Sequence, residues 1–203
     1  MQRDDAAIRD AVWRTARAMH REGLVRLSEG NVSARCGGGR VAVTPTSLPY
    51  ADMTADDIVV VDADGTRLFG ERRPTSELPM HLGLLAALPE VGAVVHTHSP
   101  YAVAFAACGR PVPAVIAGEA SLVGGEVPVA RLAAPGSPDM ATAVMEVLRT
   151  APGRRAVLLQ SHGLVAFGAG LDEALAVALY AEQMAQTTAL ARLIGTPTIL
   201  DVG

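Results

Sequence analysis

Apolar residues recur along the chain with two different periods, and these predict helices and strands in alternation. Five segments carry apolar residues every three or four positions, which is the spacing of one face of a helix. Between them lie short runs of Val, Ile, Leu and Ala bounded by Gly, Pro or Asp, a pattern typical of strands. The predicted helices are Asp4 to Glu22, Thr75 or Ser76 (as the N-cap) to Leu88, Pro100 to Ala107, Pro138 to Leu148 and Leu171 to Ile194. The predicted strands are 32–35, 40–44, 58–61, 66–69, 94–98, 127–129 and 156–161, and the segment 109–137 is otherwise rich in Pro and Gly.

The order of these elements predicts the fold class. Two pairs of strands are joined by short glycine-containing turns, 36–39 and 62–65, and are expected to form hairpins. Other strands are separated by helices. This combination predicts an α/β fold in which helices cover a mixed, mainly antiparallel sheet. The length of 203 residues and the lack of internal repeats predict a single domain, 1–203.

The composition describes the core and argues against some partners. Half of the residues are hydrophobic but only 3% are aromatic, so we expect a core of Ala, Val and Leu. The formal net charge is -4 and no long basic run occurs, which argues against a nucleic-acid partner. No segment offers about 18 apolar residues without Pro, His or charge, which argues against a membrane span. The charged N-terminus and the two widely spaced cysteines, Cys36 and Cys108, predict a cytoplasmic protein without a secretory signal.

The absence of lysine restricts the chemistry that the chain can perform. All 17 basic residues are Arg. No side chain can therefore form a Schiff base with a carbonyl substrate. A reaction that develops negative charge on carbon needs another electron sink.

Three of the five histidines lie at the ends of predicted strands. His96 and His98 end the strand that begins at Val94, and because successive strand side chains alternate, both point to the same face. His162 follows the apolar run 156–161. Three neutral imidazoles suit Zn²⁺ with an open fourth position, while Mn²⁺, Co²⁺ or Fe²⁺ are alternatives.

Glu77 is the candidate acid and base. A glutamate in the first turn of a helix usually does no more than complement the helix dipole. Here Thr75 and Ser76 precede it at the helix N-terminus, where free backbone N–H groups can bind phosphate. The remaining histidines, His20 and His81, are interpreted as surface or helix-packing residues, as a lone histidine usually is. His81 also lies one helical turn after Glu77 and is placed to orient it.

Two loops offer further phosphate ligands. Gly30 and Asn31 in the first loop, and Thr46 and Ser47 in the second, supply amide, hydroxyl and backbone donors. Taken alone, such residues usually do no more than form turns.

Five motifs, taken together and in this order, resemble the class II aldolase/adducin family. They are Ser28-x-Gly30-Asn31-x-Ser33, Thr44-Pro45-Thr46, Pro74-Thr75-Ser76-Glu77, His96-Thr97-His98-Ser99 and Ser161-His162-Gly163. With the flanking helices, the resemblance covers nearly the whole chain. It implies a three-layer α/β/α domain around a mainly antiparallel sheet. It also implies a homotetramer with active sites at the subunit interfaces.

The resemblance implies a role for each candidate residue. In that family the positions matching His96, His98 and His162 bind zinc, and the position matching Glu77 is the acid/base. The substrate phosphate is bound by the positions that match Gly30, Asn31, Thr46, Ser47, Thr75 and Ser76. Two positions depart from the family pattern. Many members have glycine where Ser47 stands, and members more often have a small or apolar residue where Glu29 stands.

The activity implied by the resemblance is that of a zinc-dependent aldolase. It would cleave or form a C–C bond in a small sugar phosphate through a metal-stabilised enediolate. A decarboxylase of a 3-oxo sugar-acid phosphate, an epimerase or a dehydratase could use the same scaffold, although the family's epimerases commonly have aspartate at position 77. A non-catalytic, adducin-like interaction domain is a further alternative, but that domain lacks the zinc site whose residues this chain retains.

Overall fold

The computed structural model describes residues 3–201, and helices and strands alternate along this part of the chain. The helices are α1 (Arg3–Arg21), α2 (Leu78–Ala87), α3 (Pro100–Ala107), α4 (Ala117–Val123), α5 (Asp139–Thr150) and α6 (Leu171–Ile194). The strands are β1 (Asn31–Arg35), β2 (Val41–Val43), β3 (Val59–Val61), β4 (Arg67–Phe69), β5 (Ala93–Thr97), β6 (Val129–Ala130), β7 (Ala156–Leu159) and β8 (Gly163–Gly168). Short 3₁₀ turns occur at Gly37–Gly39 and Ala55–Asp57.

The strands form one sheet in the order β4-β3-β2-β1-β5-β8-β7-β6. β6 and β7 are parallel, and the other neighbouring strands of the described residues are antiparallel. The predicted α/β fold with a mixed, mainly antiparallel sheet is therefore confirmed. Asn31 on β1 lies opposite His96 on β5, and Thr97 lies opposite Leu164 on β8. The register thus brings the ends of three central strands to one place.

Apolar residues cover both faces of the sheet and make the fold three layers thick. Along β5 the side chains alternate, so Ala93 and Val95 join the core on one face and Val94 joins the core on the other. Helices α1, α3, α4 and α6 pack on the first face, and α2 and α5 pack on the second. Both cores consist mainly of Ala, Val, Leu and Met, as the composition predicts. Among residues 3–201, no helix combines the length and apolar character needed to cross a bilayer.

The structure corrects two predictions between residues 109 and 168. The strand predicted at 156–161 ends at Leu159, because Ser161 has a φ of 56° and turns the chain into β8, which the sequence pattern did not predict. Helix α4 also lies in a segment without a predicted helix. Val127 makes an isolated bridge with Val112, and the short strand near it is β6 at Val129–Ala130.

The start of α2 differs from the prediction as well. Glu77, rather than Thr75 or Ser76, is the N-cap residue, and α2 begins at Leu78. The residues before it form a separate turn, in which the backbone N–H of Glu77 donates to Thr75 Oγ1 at 3.3 Å and that of Leu78 donates to the Thr75 carbonyl at 3.2 Å. Glu77 therefore lies at the junction of this turn and the helix.

Candidate metal centre and active site

Three imidazoles converge at the ends of the central strands. His96 is in β5, His98 follows this strand directly, and His162 lies in the turn between β7 and β8. One ligand nitrogen from each lies within 4.8 Å of the others. The three residues predicted as metal ligands are thus brought together by two neighbouring strands.

The geometry of this group suits a tetrahedral metal ion. His96 Nε2 lies 3.1 Å from His98 Nε2. Two nitrogens bound to zinc in a tetrahedron are about 3.3 Å apart, given the usual Zn–N bond length. His96 Nδ1 donates to the Leu164 carbonyl at 2.8 Å, which leaves the lone pair of Nε2 directed into the group. The residues therefore fit a divalent ion with one or more open positions.

Burial favours the neutral, metal-binding form of two of the candidate ligands, His98 and His162. Burial and the neighbouring His96 and His162 lower the pKa of His98 to about 4. Burial is also the main cause of the lowered pKa of His162, and His96 contributes to it. Neutral imidazoles are metal ligands, whereas imidazolium ions are not.

Gly163 allows the three histidines to approach one another. A Cβ atom at this position would lie 2.4 Å from the Thr97 carbonyl oxygen and 2.9 Å from His96 Cε1. It would also lie 3.1 Å from His98 Cδ2. Any side chain here would therefore push the β7–β8 turn away from the end of β5.

The Glu77 carboxylate faces this group and is almost fully buried, with 6% of the residue exposed. Oε2 lies 3.1 Å from His96 Nε2, and Oε1 lies 3.2 Å from His162 Nε2. The side-chain amide of Asn31 donates to Oε2 at 2.8 Å. Burial raises the pKa of Glu77, whereas a protonated His96, the hydrogen bond from Asn31 and a protonated His162 outweigh it and hold the pKa well below its usual range. Positive charge at the histidine group therefore keeps the Glu77 carboxylate ionised.

A cleft of about 240 Å³ opens beside Glu77. The six predicted phosphate ligands line it, together with Glu77, His98 and His162. These six are Gly30, Asn31, Thr46, Ser47, Thr75 and Ser76. Its lining residues within 3–201 include no Arg, so hydroxyl, amide and backbone groups are its hydrogen-bond donors. Glu29 adds a half-exposed carboxylate to the rim, with Oε2 4.0 Å from His98 Nδ1.

Positive φ angles shape the two loops of this cleft. Gly30 has a φ of 68°, and a Cβ atom there would lie 2.5 Å from the His96 carbonyl oxygen. Ser47, at a position where many family members have glycine, has a φ of 58°. Both loops therefore have the backbone conformation that favours glycine, and the second retains it with a serine.

Two residues that support the site were not predicted from the sequence. Tyr50 is buried, and its hydroxyl donates to the carbonyl oxygens of Glu29 and Gly30, both at 2.9 Å. Glu182 on α6 accepts the backbone N–H groups of Tyr101 and Ala102 at 2.9 and 2.8 Å, which anchors the start of α3 just after His98. Both contacts join residues far apart in sequence, so no local pattern indicates them.

Known proteins similar to this chain agree with the fold and with the sequence motifs. The Class II Aldolase and Adducin N-terminal domain matches residues 10–189. The 5-methylthioribulose-1-phosphate/5-deoxyribulose-1-phosphate aldolase of Rhodospirillum rubrum is 35% identical over 194 residues, which are 96% of this chain and 86% of that protein. The L-fuculose phosphate aldolase of Escherichia coli K12 is 34% identical over 189 residues, 92% of this chain and 86% of that protein.

A solved structure of L-fuculose 1-phosphate aldolase has the same fold. It superposes with a TM-score of 0.90 at 29% identity, covering 97% of this chain and 91% of that one. The relatives named here are aldolases, which are lyases, so the prediction of a lyase is confirmed. The chain belongs to the class II aldolase and adducin family.

Proposed function

We propose that the protein is a zinc-dependent aldolase that cleaves or forms a C–C bond in a small sugar phosphate. The observation that carries this proposal is the position of the Glu77 carboxylate, 3.1 Å from His96 Nε2 and 3.2 Å from His162 Nε2. A base, a set of metal ligands and a cleft with phosphate-binding groups then lie side by side. The names of the relatives, which are sugar-phosphate aldolases, support the same reaction class.

His96, His98 and His162 are the proposed metal ligands. A divalent ion bound there supplies a Lewis acid that stabilises negative charge on the substrate oxygens, which a chain without lysine cannot do through a Schiff base. Zn²⁺ suits three neutral nitrogens, while Mn²⁺, Co²⁺ and Fe²⁺ are alternatives for the same ligands. Burial lowers the pKa of His98 and His162 and so favours their neutral, metal-binding form.

Glu77 is the proposed acid and base. In the cleavage direction, the C–C bond breaks as the hydroxyl group of the leaving fragment loses its proton and becomes the aldehyde, and the remaining fragment gains a proton at carbon. Glu77 would move this proton through Oε1, because Oε2 accepts the hydrogen bond from Asn31. Its lowered pKa favours the carboxylate as the resting form, ready to take the proton in the condensation direction.

We propose that the six residues named as phosphate ligands hold the substrate phosphate. Thr46, Ser47, Thr75 and Ser76 offer hydroxyl groups, and the turn before α2 presents backbone N–H groups. Gly30 and Asn31 form the opposite wall. Since the acidic groups Glu29 and Glu77 also line the cleft, the dianion fits best at the end formed by the hydroxyl groups.

A substrate panel tests the proposal. The protein, purified without a histidine tag and loaded with Zn²⁺, would be given L-fuculose 1-phosphate, 5-methylthioribulose 1-phosphate and 5-deoxyribulose 1-phosphate. We expect release of an aldehyde and dihydroxyacetone phosphate from at least one, and a much slower release in Glu77→Gln. No cleavage of any ketose phosphate by the loaded protein would refute it, and release of carbon dioxide from a 3-oxo acid phosphate would identify a decarboxylase instead.

Metal analysis of the same sample tests the ligand set. We expect close to one equivalent of metal in the wild type after zinc reconstitution, and far less in a variant that lacks His96 and His98. Less than about a tenth of an equivalent in the wild type would indicate a non-catalytic, adducin-like domain, because the proposed reaction needs a bound metal ion.

We also propose that the chain forms a single domain. We propose that four copies of it assemble into a homotetramer with active sites at the subunit interfaces. Exposed apolar side chains beyond the middle of α6 support an interface there, since Leu193 is 84% exposed and Ile194 is 91% exposed. Light scattering of the purified protein measures the assembly. A monomer at micromolar concentration would contradict this proposal without affecting the assignment of the metal ligands.

A further inference from the structure

A line of four buried polar side chains leads from β1 to the candidate base. Ser33 and His81 are fully buried, Asn31 is 5% exposed, and Glu77 is 6% exposed. Ser33 Oγ lies 2.6 Å from His81 Nδ1, and His81 Nε2 lies 2.5 Å from Asn31 Oδ1. Asn31 Nδ2 lies 2.8 Å from Glu77 Oε2. Each group thus contacts the next at hydrogen-bond distance.

The periods of a strand and a helix place these four residues opposite one another. Asn31 and Ser33 are two positions apart on β1, so their side chains point to the same face of the sheet. Glu77 and His81 are four positions apart at the start of α2, so they lie on the same face of that helix. The helix packs on this face of the sheet, and the two pairs interleave to give the order Ser33, His81, Asn31, Glu77.

The chemistry of the groups gives every hydrogen bond one direction. A carboxylate only accepts, so Asn31 must present its amide nitrogen to Glu77 and its carbonyl oxygen to His81. His81 must then carry its proton on Nε2, and its Nδ1 must accept a hydrogen bond from the hydroxyl of Ser33. Burial lowers the pKa of His81 to about 3, which keeps the ring neutral, as this arrangement requires.

We propose that Ser33, His81 and Asn31 are positioning residues that act through Glu77. This inference rests on the proposed function. Glu77 sets the amide orientation of Asn31, and the Asn31 carbonyl oxygen sets the tautomer of His81. In return, Ser33 holds the His81 ring, His81 holds the Asn31 amide, and Asn31 holds Oε2 of Glu77. The other carboxylate oxygen, Oε1, is left for proton transfer beside His162. Without His81, the Asn31 carbonyl oxygen loses its partner and the amide is no longer held in place against Oε2.

The structure distinguishes this role from that of an ordinary buried polar group. A buried hydroxyl or imidazole needs a partner, but the partner can be any backbone carbonyl. Thr188 on α6 is such a case, because it is fully buried and its hydroxyl donates to the Met184 carbonyl in its own helix. Ser33 and His81 instead use side-chain partners in a line that ends at the reacting carboxylate.

The first experiment separates kcat from KM. We expect His81→Leu to lower kcat roughly ten- to a hundredfold, the effect of losing a hydrogen bond to a charged group, with KM changed by less than about twofold. His81→Gln, whose amide nitrogen can donate to Asn31 as Nε2 does, should recover most of the rate. Ser33→Ala should lower kcat by less, and Thr188→Val, the matched loss of a buried hydroxyl, should leave kcat unchanged.

A double-mutant cycle tests whether the residues act through Glu77. His81→Leu should cost little further rate in a Glu77→Gln background, because the group that it positions is already gone. An equal loss in both backgrounds, or no rescue by His81→Gln, would overturn the inference. If His81→Leu does not fold, as judged by circular dichroism and Co²⁺ absorption, the same comparison is made with Ser33→Ala.

A readout without substrate separates this inference from the proposed function. Heteronuclear NMR of imidazole-labelled protein should find His81 neutral, with its proton on Nε2, both in the wild type and in Ser33→Ala, because the Asn31 carbonyl oxygen still accepts from Nε2 in the variant. A wild type that cleaves no ketose phosphate refutes the aldolase and leaves the tautomer result to decide the order of the hydrogen bonds. A proton on Nδ1 of His81 in the wild type would overturn the proposed series of hydrogen bonds, whatever the activity of the protein.

Discussion

The burial of His81 as a neutral ring predicts that the fold loses stability in acid. The unfolded chain binds a proton at this histidine near its ordinary pKa of about 6.5, whereas burial lowers the pKa in the folded protein to about 3. Between these values the unfolded state binds more protons than the folded state. The contribution of the neutral His81 ring to the free energy of unfolding is therefore fully present above about pH 6.5 and is lost as the pH falls toward the pKa of the folded state.

The size of this effect follows from the two pKa values. Each pH unit between them changes the free energy of unfolding by about 1.4 kcal/mol for one proton, so the whole interval corresponds to roughly 4 to 5 kcal/mol. Other groups with lowered pKa values, among them His98, His162 and Glu77, add to the loss in acid. A comparison with a variant that lacks the His81 imidazole isolates the part due to His81, because these other groups remain.

Urea unfolding of wild type and His81→Gln, followed by circular dichroism between about pH 4.5 and 7 with chelator present, measures this difference. We expect the free energy of unfolding of the variant to fall less steeply with decreasing pH, by about 1.4 kcal/mol per pH unit. Ser33→Ala is the control, because it removes a hydrogen bond but keeps the buried ring, so it should be less stable with an unchanged slope. Parallel curves for wild type and His81→Gln would refute the reasoning.

Three further predictions concern the surroundings of the site. Gly163→Ala should weaken Zn²⁺ binding at least about tenfold in a competition titration with a chromophoric chelator, because the new methyl would lie 2.4 Å from a carbonyl oxygen of β5; Gly170→Ala, whose methyl would meet no atom within 4 Å, should bind as wild type. Glu182→Ala should lower thermal stability by about 1 to 2 kcal/mol through loss of the N-terminal cap of α3, and an unchanged Tm would contradict this role. Glu29→Gln should lower KM for a sugar phosphate severalfold because it removes a negative charge from the cleft rim, whereas an unchanged KM would mean that the carboxylate points away from the substrate.

The convergence of the candidate metal ligands could be predicted from the sequence because local geometry determines half of it. His96 and His98 are two positions apart at the end of β5 and therefore share a face. His162 could be predicted only to lie at the end of another strand. Its position beside His96 depends on the pairing of β8 with β5, which no sequence pattern indicates. Strand β8 was not predicted because the turn before it is made by Ser161 at positive φ. A glycine at this position would have indicated a turn in the sequence, whereas a serine does not.

The support of Glu77 could be predicted only in part. The spacing of Glu77 and His81 on one helix indicated that the imidazole could help orient the carboxylate, but their connection runs through Asn31 on a strand of the sheet. That contact depends on how α2 sits on β1, which is set by the packing of Met80, Leu84 and other apolar residues against the sheet. Tertiary packing of this kind leaves no periodic signal.

His96 is held in place by residues of the two strands that flank β5, and this determines how the candidate metal site is organised. The Gly30 Cα lies so close to β5 that a Cβ atom would be 2.5 Å from the His96 carbonyl, and a Cβ atom on Gly163 would be 2.9 Å from its ring. Its Nδ1 is fixed by the Leu164 carbonyl, and its side chain is fully buried. The orientation of the central ligand is therefore set by the pairing of β1, β5 and β8 and does not depend on a bound ion. If an ion binds as proposed, a site preorganised in this way would lose little conformational entropy, so the binding energy of the ion would serve affinity and catalysis rather than folding.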